Sequence, residues 1–385
     1  MNLTHKERIC RAFRRQTVDY LPCSIYFNSN LQVSGFDCSR IDEAVTLALE
    51  LGTDPFVGVG FSPLLSPTVT TSTRVETGPA TDHPILWQTW DTPAGRLTQA
   101  IRKEGVCADW SQIHWGDESA GACCKPLIEG PEDVFKFEHL VQPPREGDYE
   151  ALQQSWQTRL TLARSKKLPV VATYGQGLAW LMFMQGAEAS VFLSLDHYDD
   201  FVRIAEIIHR REMRQLEWAV RAGADILKRF GGYEMCNFYN PDIFRAVCLP
   251  RLKKEVELAH SLGALIYYRV VTGMEPILDD IASVGFDCIE GGEPRLSRCS
   301  LRQWHDAFQD KAASWTGIST PGLLGGKSPD QVRAEVRLCA EIFGHTGFIL
   351  GVTNSIRQHF PWENTLAMVD EWKKVRQPAR STISP

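Results

Sequence analysis

Short apolar runs, each followed by a longer stretch of helical period, recur along this chain and predict alternating strands and helices. Residues 21–27 and 55–60 form the first two strands. Between them, residues 41–51 carry the 3.6-residue apolar period of a helix that stops at Gly52. The alternation becomes regular again at Pro169, with strands over 170–174, 224–229, 264–270, 286–290, 314–318 and 348–352. Helices fill the gaps at 196–221, 241–262, 275–284 and 328–343; the last opens on Ser328-Pro329-Asp330-Gln331, a capping serine, a proline at the first helical position and a glutamine at the third. Eight strands, each followed by a crossover long enough to return to a parallel neighbour and with no linker between units, predict an α/β chain folded as a single (β/α)8 TIM barrel over residues 1–385.

Two stretches depart from the pattern. Residues 67–108 contain β-branched, alternating runs at 68–75, 85–90 and 96–101, divided by Pro/Gly turns such as Thr92-Pro93-Ala94-Gly95, and predict an antiparallel β-hairpin insertion after strand two. Residues 109–165 predict a helical insertion, with helices at 131–135 and 149–165. The competing architecture, an open doubly wound sheet for a nucleotide, calls for a GxGxxG turn after its first strand; Gly58-Val59-Gly60 lacks the third glycine.

Composition narrows the class. A net charge of -6 over 385 residues, with no run of like charges, argues against nucleic acid as a partner. No apolar run is long enough for a membrane span, and the start, Met1 to Arg8, has no apolar stretch after its basic residues, so neither a membrane nor a secretory signal is expected. The cysteines number eleven, are irregularly spaced and form no CxxC. They read as reduced thiols in a cytoplasmic protein, Cys123-Cys124 included.

In a TIM barrel the chemistry sits at the C-terminal ends of the strands. That rule selects Tyr26 and Asn28 after strand one, Tyr174 and Gln176 after strand three, and Lys228, Arg229 and Glu234 after strand four. It adds Tyr268 and Arg269, Glu290 and Glu293, Ser319, Thr353 and Asn354 from the remaining strands. Arg229 and Arg269 end neighbouring strands and suit a carboxylate-bearing small molecule, since guanidinium grips carboxylate in a bidentate manner. The plainer reading pairs them with Glu234 and Glu290 and only closes the barrel mouth. Glu290, Tyr268 and Arg269 are the catalytic candidates; Tyr26, Asn28, Tyr174, Arg229, Glu234 and Asn354 are the substrate-binding ones. Trp87, Trp90, Trp110, Trp115 and Trp180, with His114, read either as an aromatic lid or as ordinary packing.

The order of pieces resembles the uroporphyrinogen decarboxylase superfamily, in its corrinoid-dependent, methyltransferase-like branch. The resemblance is carried by Lys6-Glu7-Arg8, Ala12-Phe13-Arg14-Arg15, Asp19-Tyr20-Leu21-Pro22, Thr92-Pro93-Ala94-Gly95-Arg96-Leu97, Ala222-Gly223-Ala224-Asp225, His260-Ser261-Leu262-Gly263, Gly285-Phe286-Asp287 and Pro361-Trp362-Glu363-Asn364. It implies a barrel, methyl transfer between a small substrate and a corrinoid carried by a partner protein, and a homodimer. True uroporphyrinogen decarboxylases have an arginine-rich signature after the first strand, where this chain has no arginine from Leu21 to Asn28, and their catalytic tyrosine falls near Met182. The thiol-activating zinc of the methyltransferases would be held at about Arg269, Val271 and Asn354, none of which is a zinc ligand. No metal site and no tightly bound cofactor are therefore expected, with zinc on other ligands left open. A lyase or decarboxylase acting on a small carboxylic acid, and a non-catalytic barrel that binds a small anion, stand as alternatives.

Overall fold

The computed structural model describes residues 2–61, 66, 68–77, 83–102, 111–116, 122–293 and 296–377. The strands in chain order are β1 (Cys23–Ser24), β2 (Gln32–Val33), β3 (Phe36–Asp37), β4 (Val57–Gly60), β5 (Thr70–Glu76), β6 (Ile85–Thr92) and β7 (Gly95–Arg102), followed by β8 (Ala122–Lys125), β9 (Val170–Gly175), β10 (Ile226–Phe230), β11 (Leu265–Val270), β12 (Cys288–Gly291), β13 (Ala313–Ile318) and β14 (Phe348–Val352). Eight of them form one parallel sheet in the order β1-β14-β13-β12-β11-β10-β9-β4. Each of the eight corresponds to one of the apolar runs in the sequence. Runs of this kind mark strands buried on both faces, and a curled parallel sheet of eight such strands with helical crossovers is an α/β fold that fits a TIM barrel.

Among the described residues no ladder joins β1 to β4. Asp54 bridges that seam: its backbone N–H donates to the Cys23 carbonyl at 2.6 Å and its Oδ2 accepts from the Cys23 N–H at 3.2 Å. The same fully buried carboxylate takes Arg8 at 2.7 Å, His5 at 2.8 Å and the Tyr20 hydroxyl at 3.1 Å. Arg8 belongs to helix His5–Phe13, which a Thr4/Glu7 capping box starts. Its apolar face (Ile9, Ala12, Phe13) packs against Val171, Leu265, Ala313 and Ile349 near the N-terminal ends of the strands and reaches Tyr267 and Trp315 at mid-strand. This helix plugs the end of the barrel away from the mouth.

The long helix expected over 196–221 forms as Tyr198–Arg221, and Leu178–Gln185 and Ala187–Asp196 ahead of it are two helices that the sequence reading missed. Strands β5 to β8 form a separate antiparallel sheet, β5-β6-β7-β8. Its fourth strand falls in the segment expected to be helical, where helices Pro131–Leu140 and Tyr149–Lys166 do form. No single helix among the described residues is long and apolar enough to cross a membrane; only the bent pair Leu178–Gln185 and Ala187–Asp196, turned by 116°, passes that test together.

Candidate active site

Strand register decides which side chains share a face. Arg229 lies opposite Tyr268, whereas Phe230 lies opposite Arg269. Partners in a parallel ladder point the same way and neighbours along a strand point opposite ways, so the two arginines face opposite sides of the sheet. The expectation that both grip one ligand is corrected by this alternation.

The inward face carries one cluster. Arg269 Nη1 donates to Glu290 Oε1 at 2.9 Å and to Oε2 at 3.2 Å, and Glu290 is fully buried. The Tyr26 hydroxyl meets that of Tyr267 at 2.9 Å and accepts from Lys228 Nζ at 3.3 Å. The Arg269 guanidinium stands 5.1 Å from the Tyr26 ring, and Trp315 stacks on Tyr26 at 5.8 Å and lies tilted against Tyr267 at 5.6 Å. Burial, with Glu290 nearby, pushes the Tyr26 phenol well above its ordinary range, and burial beside Tyr26 does the same to Tyr267. Two cations, one carboxylate and two phenols that stay protonated thus point into the barrel at its C-terminal end. The sequence reading picked Tyr26, Lys228, Arg269 and Glu290. It missed Tyr267, which sits two residues before Arg269 and so on the same face.

The outward face carries a second network. Arg229 donates through Nε to Glu255 Oε2 at 2.9 Å, through Nη2 to Glu234 Oε1 at 2.9 Å, and through Nη1 to the Phe230 carbonyl at 2.6 Å; Glu212 lies 3.8 Å away. Tyr268 donates to Glu234 and Tyr174 donates to Glu255, each at 2.7 Å, and His209 meets Glu255 at 3.1 Å. Burial raises the Glu255 carboxyl, but Arg229 and His209 together hold it below the usual range; Glu212 is raised, because burial and the neighbouring Glu255 outweigh Arg229. The carboxylates also fasten the loop after β9: Glu212 accepts from the Gln176 and Gly177 amides at 2.6 and 2.9 Å, and Glu234 from Leu178 at 2.8 Å. Gly177 has φ +49, and a Cβ on it would run into Arg229 and Glu234. Tyr174, Arg229, Glu234 and Tyr268 are therefore packed behind the sheet, and the Tyr268 hydroxyl is directed to Glu234.

The remaining candidates line the rim. Asn28 donates to Ser355 Oγ at 3.3 Å, and Asn354 accepts from the Ser355 amide at 2.7 Å, so the two asparagines meet through one serine where β1 and β14 end. Thr353 donates to Glu293, and Ser319 accepts from the Gly322 amide at 2.9 Å. Trp87 lies on the outer face of the insertion sheet beside Arg74, whereas Trp90, Trp115 and Trp180 line a 310 Å³ cavity where β4 and β9 end. Trp110 lies outside the described residues. Arg269, Val271 and Asn354 offer neither imidazole nor thiolate. No group of three or more His, Cys, Asp or Glu side chains able to hold a metal occurs among the described residues. The residues at the expected zinc position do not fit zinc.

The family model for uroporphyrinogen decarboxylase (URO-D) matches residues 124–375, more than half of the chain. A methyltransferase from Methanosarcina mazei is similar in structure, with 16% identity and a TM-score of 0.60, over 97% of this chain and 99% of that one. A B12-independent methionine synthase from Shewanella sp. W3-18-1, solved with selenomethionine, is similar at 10% identity and a TM-score of 0.52, over 92% and 96% of the two chains. At these identities the likeness is one of fold. No curated protein matches.

Proposed function

The chain belongs to the uroporphyrinogen decarboxylase family, and from that premise we propose that it is an enzyme moving a methyl group between a small methylated substrate and a corrinoid on a carrier protein. The observation that carries the reading is the inward cluster of Tyr26, Lys228, Tyr267, Arg269 and Glu290 at the catalytic end of the barrel. The fold likeness to a methyltransferase over the whole chain, and the absence of arginine between Leu21 and Asn28, support methyl transfer over uroporphyrinogen decarboxylation.

In this reading Arg269, held in place by Glu290, pairs with an anionic group of the substrate. As the bond from the methyl carbon to its heteroatom breaks and the carbon–cobalt bond forms, the leaving heteroatom takes a proton from Lys228 or from the Tyr26 phenol that Lys228 hydrogen-bonds. A phenol carries its proton at neutral pH. Tyr268, placed behind the sheet, is replaced by Tyr26 in this role. The cobalt is the partner's and acts as co-substrate; no step passes through a metal of this chain.

The test incubates the protein with free cob(I)alamin and a panel of small methyl ethers and methylamines, following formation of methylcobalamin by absorbance. Turnover with at least one donor, cut by about 100-fold or more in Lys228→Met and Arg269→Met, is expected. Unchanged turnover in both variants would remove the site assignment. A second reading, decarboxylation of a small carboxylic acid, draws on the excess of cations over carboxylates in the same cluster. Release of carbon dioxide without cobalamin, and no methylcobalamin from any donor, would put it in first place.

A further inference from the structure

The cavity at the ends of β4 and β9 contains a cation with no ion pair among the described residues. Arg211 is 6% exposed, its Nε is buried without a hydrogen-bond partner, and it forms no ion pair with any described residue. Its guanidinium instead lies 4.7 Å from the Trp180 ring. Glu212, next in sequence, does not neutralise it: Oε1 is taken by two loop amides, and the cation facing this carboxylate is Arg229. Burial lowers the Arg211 pKa to about 10, against the pull of Glu212, which is the mark of a guanidinium short of a counter-charge. Gln215, one helical turn further along Tyr198–Arg221 and 4% exposed, forms no side-chain hydrogen bond with the described residues, and both side chains line the cavity.

One wall is flat and aromatic, while Gln88, Gln112, His114, Gln176 and Glu212 also line the cavity. Trp90 and Trp115 are 5.2 Å apart and tilted by 34°, and Trp115 meets Trp180 at 5.5 Å edge to face. A volume of 310 Å³ lies at the small end of ligand pockets. Thr173, also in the wall, is the ladder partner of Lys228, so the cavity adjoins the inward cluster.

We propose that this cavity binds a small, flat carboxylate, its anion on Arg211 and Gln215 and its body against Trp90, Trp115 and Trp180. The guanidinium forms the charge-assisted pair it lacks, and the indoles cover a planar body without needing polar contacts. This binding is separate from the pairing of Arg269 proposed above and does not depend on it. The ligand class follows from the two unpartnered groups, a cation and an amide, on one helix face.

Isothermal titration with sodium benzoate, benzamide and cyclohexanecarboxylate tests it, since none of the three carries a transferable methyl group. Benzoate is expected to bind at least about tenfold tighter than either of the others, and Arg211→Met to weaken it by at least about tenfold. Arg211→Met is also expected to raise the thermal midpoint of the free protein, because a buried unpaired charge is removed at similar volume. Gln215→Ala gives an independent variant, with weaker benzoate binding expected. Failure of benzoate to bind, equal binding of benzamide, or undiminished binding by Arg211→Met would each overturn the proposal, whatever the outcome of the methylcobalamin assay.

Discussion

Arg229 answers two carboxylates directly and a third at longer range, all behind the sheet. Arg229→Met is expected to cost about 3–5 kcal/mol in urea unfolding, because Glu234 is left buried without a cation and Glu255 with His209 alone. Arg229→Lys is expected to rescue little of this. A single ammonium cannot reproduce a fork that reaches Glu255, Glu234 and the Phe230 carbonyl at fixed angles. An Arg229→Lys protein as stable as the wild type would mean that the outward network is a loose charge cluster, not a fitted one.

At the level of elements, the seam between β1 and β4 depends on Asp54. Asp54→Ala leaves Arg8 to Asp19 and frees the Cys23 amide, so a loss of about 1–3 kcal/mol is expected. Amide exchange should accelerate first at residues 21–24 and 54–57; uniform acceleration across the sheet would show that the seam is not a separate weak point. The eight barrel strands were legible in the sequence because a strand buried on both faces is a bare apolar run. The same fact hid their facing, since a run without alternation does not say whether Arg229 or Arg269 points inward. The cavity was missed for another reason. Phe201, Ile204 and Ile208 mark the buried stripe of helix Tyr198–Arg221, and Arg211 and Gln215 continue that stripe at the same spacing. A charge and an amide at positions where the helical period calls for apolar residues were the available signal. The tryptophans opposite them come from β6 and two other segments, too distant in sequence to be connected with it.

For the whole molecule, burial raises the phenols of Tyr20, Tyr26, Tyr174, Tyr239, Tyr267 and Tyr268, six of the nine tyrosines. Raised folded values mean that the unfolded chain releases these protons first. The stability they contribute is complete below the unfolded value of 10.0 and falls as the pH climbs through and beyond it. Spectrophotometric titration should therefore show these six ionising together with loss of the near-ultraviolet dichroism; their ionisation in a still-folded protein would contradict the burial. The topology also orders events in time. β1 has β14 as its ladder neighbour, through Cys23 and Leu350, and helix His5–Phe13 packs on Trp315 and Ile349. Residues 5–24 thus wait about 300 residues or more for Trp315, Ile349 and Leu350, with Ile9, Phe13 and Leu21 incompletely covered meanwhile. Protease protection of residues 5–24 in a series of C-terminal truncations should appear only once residues 348–352 are included. During synthesis, this barrel is a chain whose beginning is the last part to become safe from aggregation.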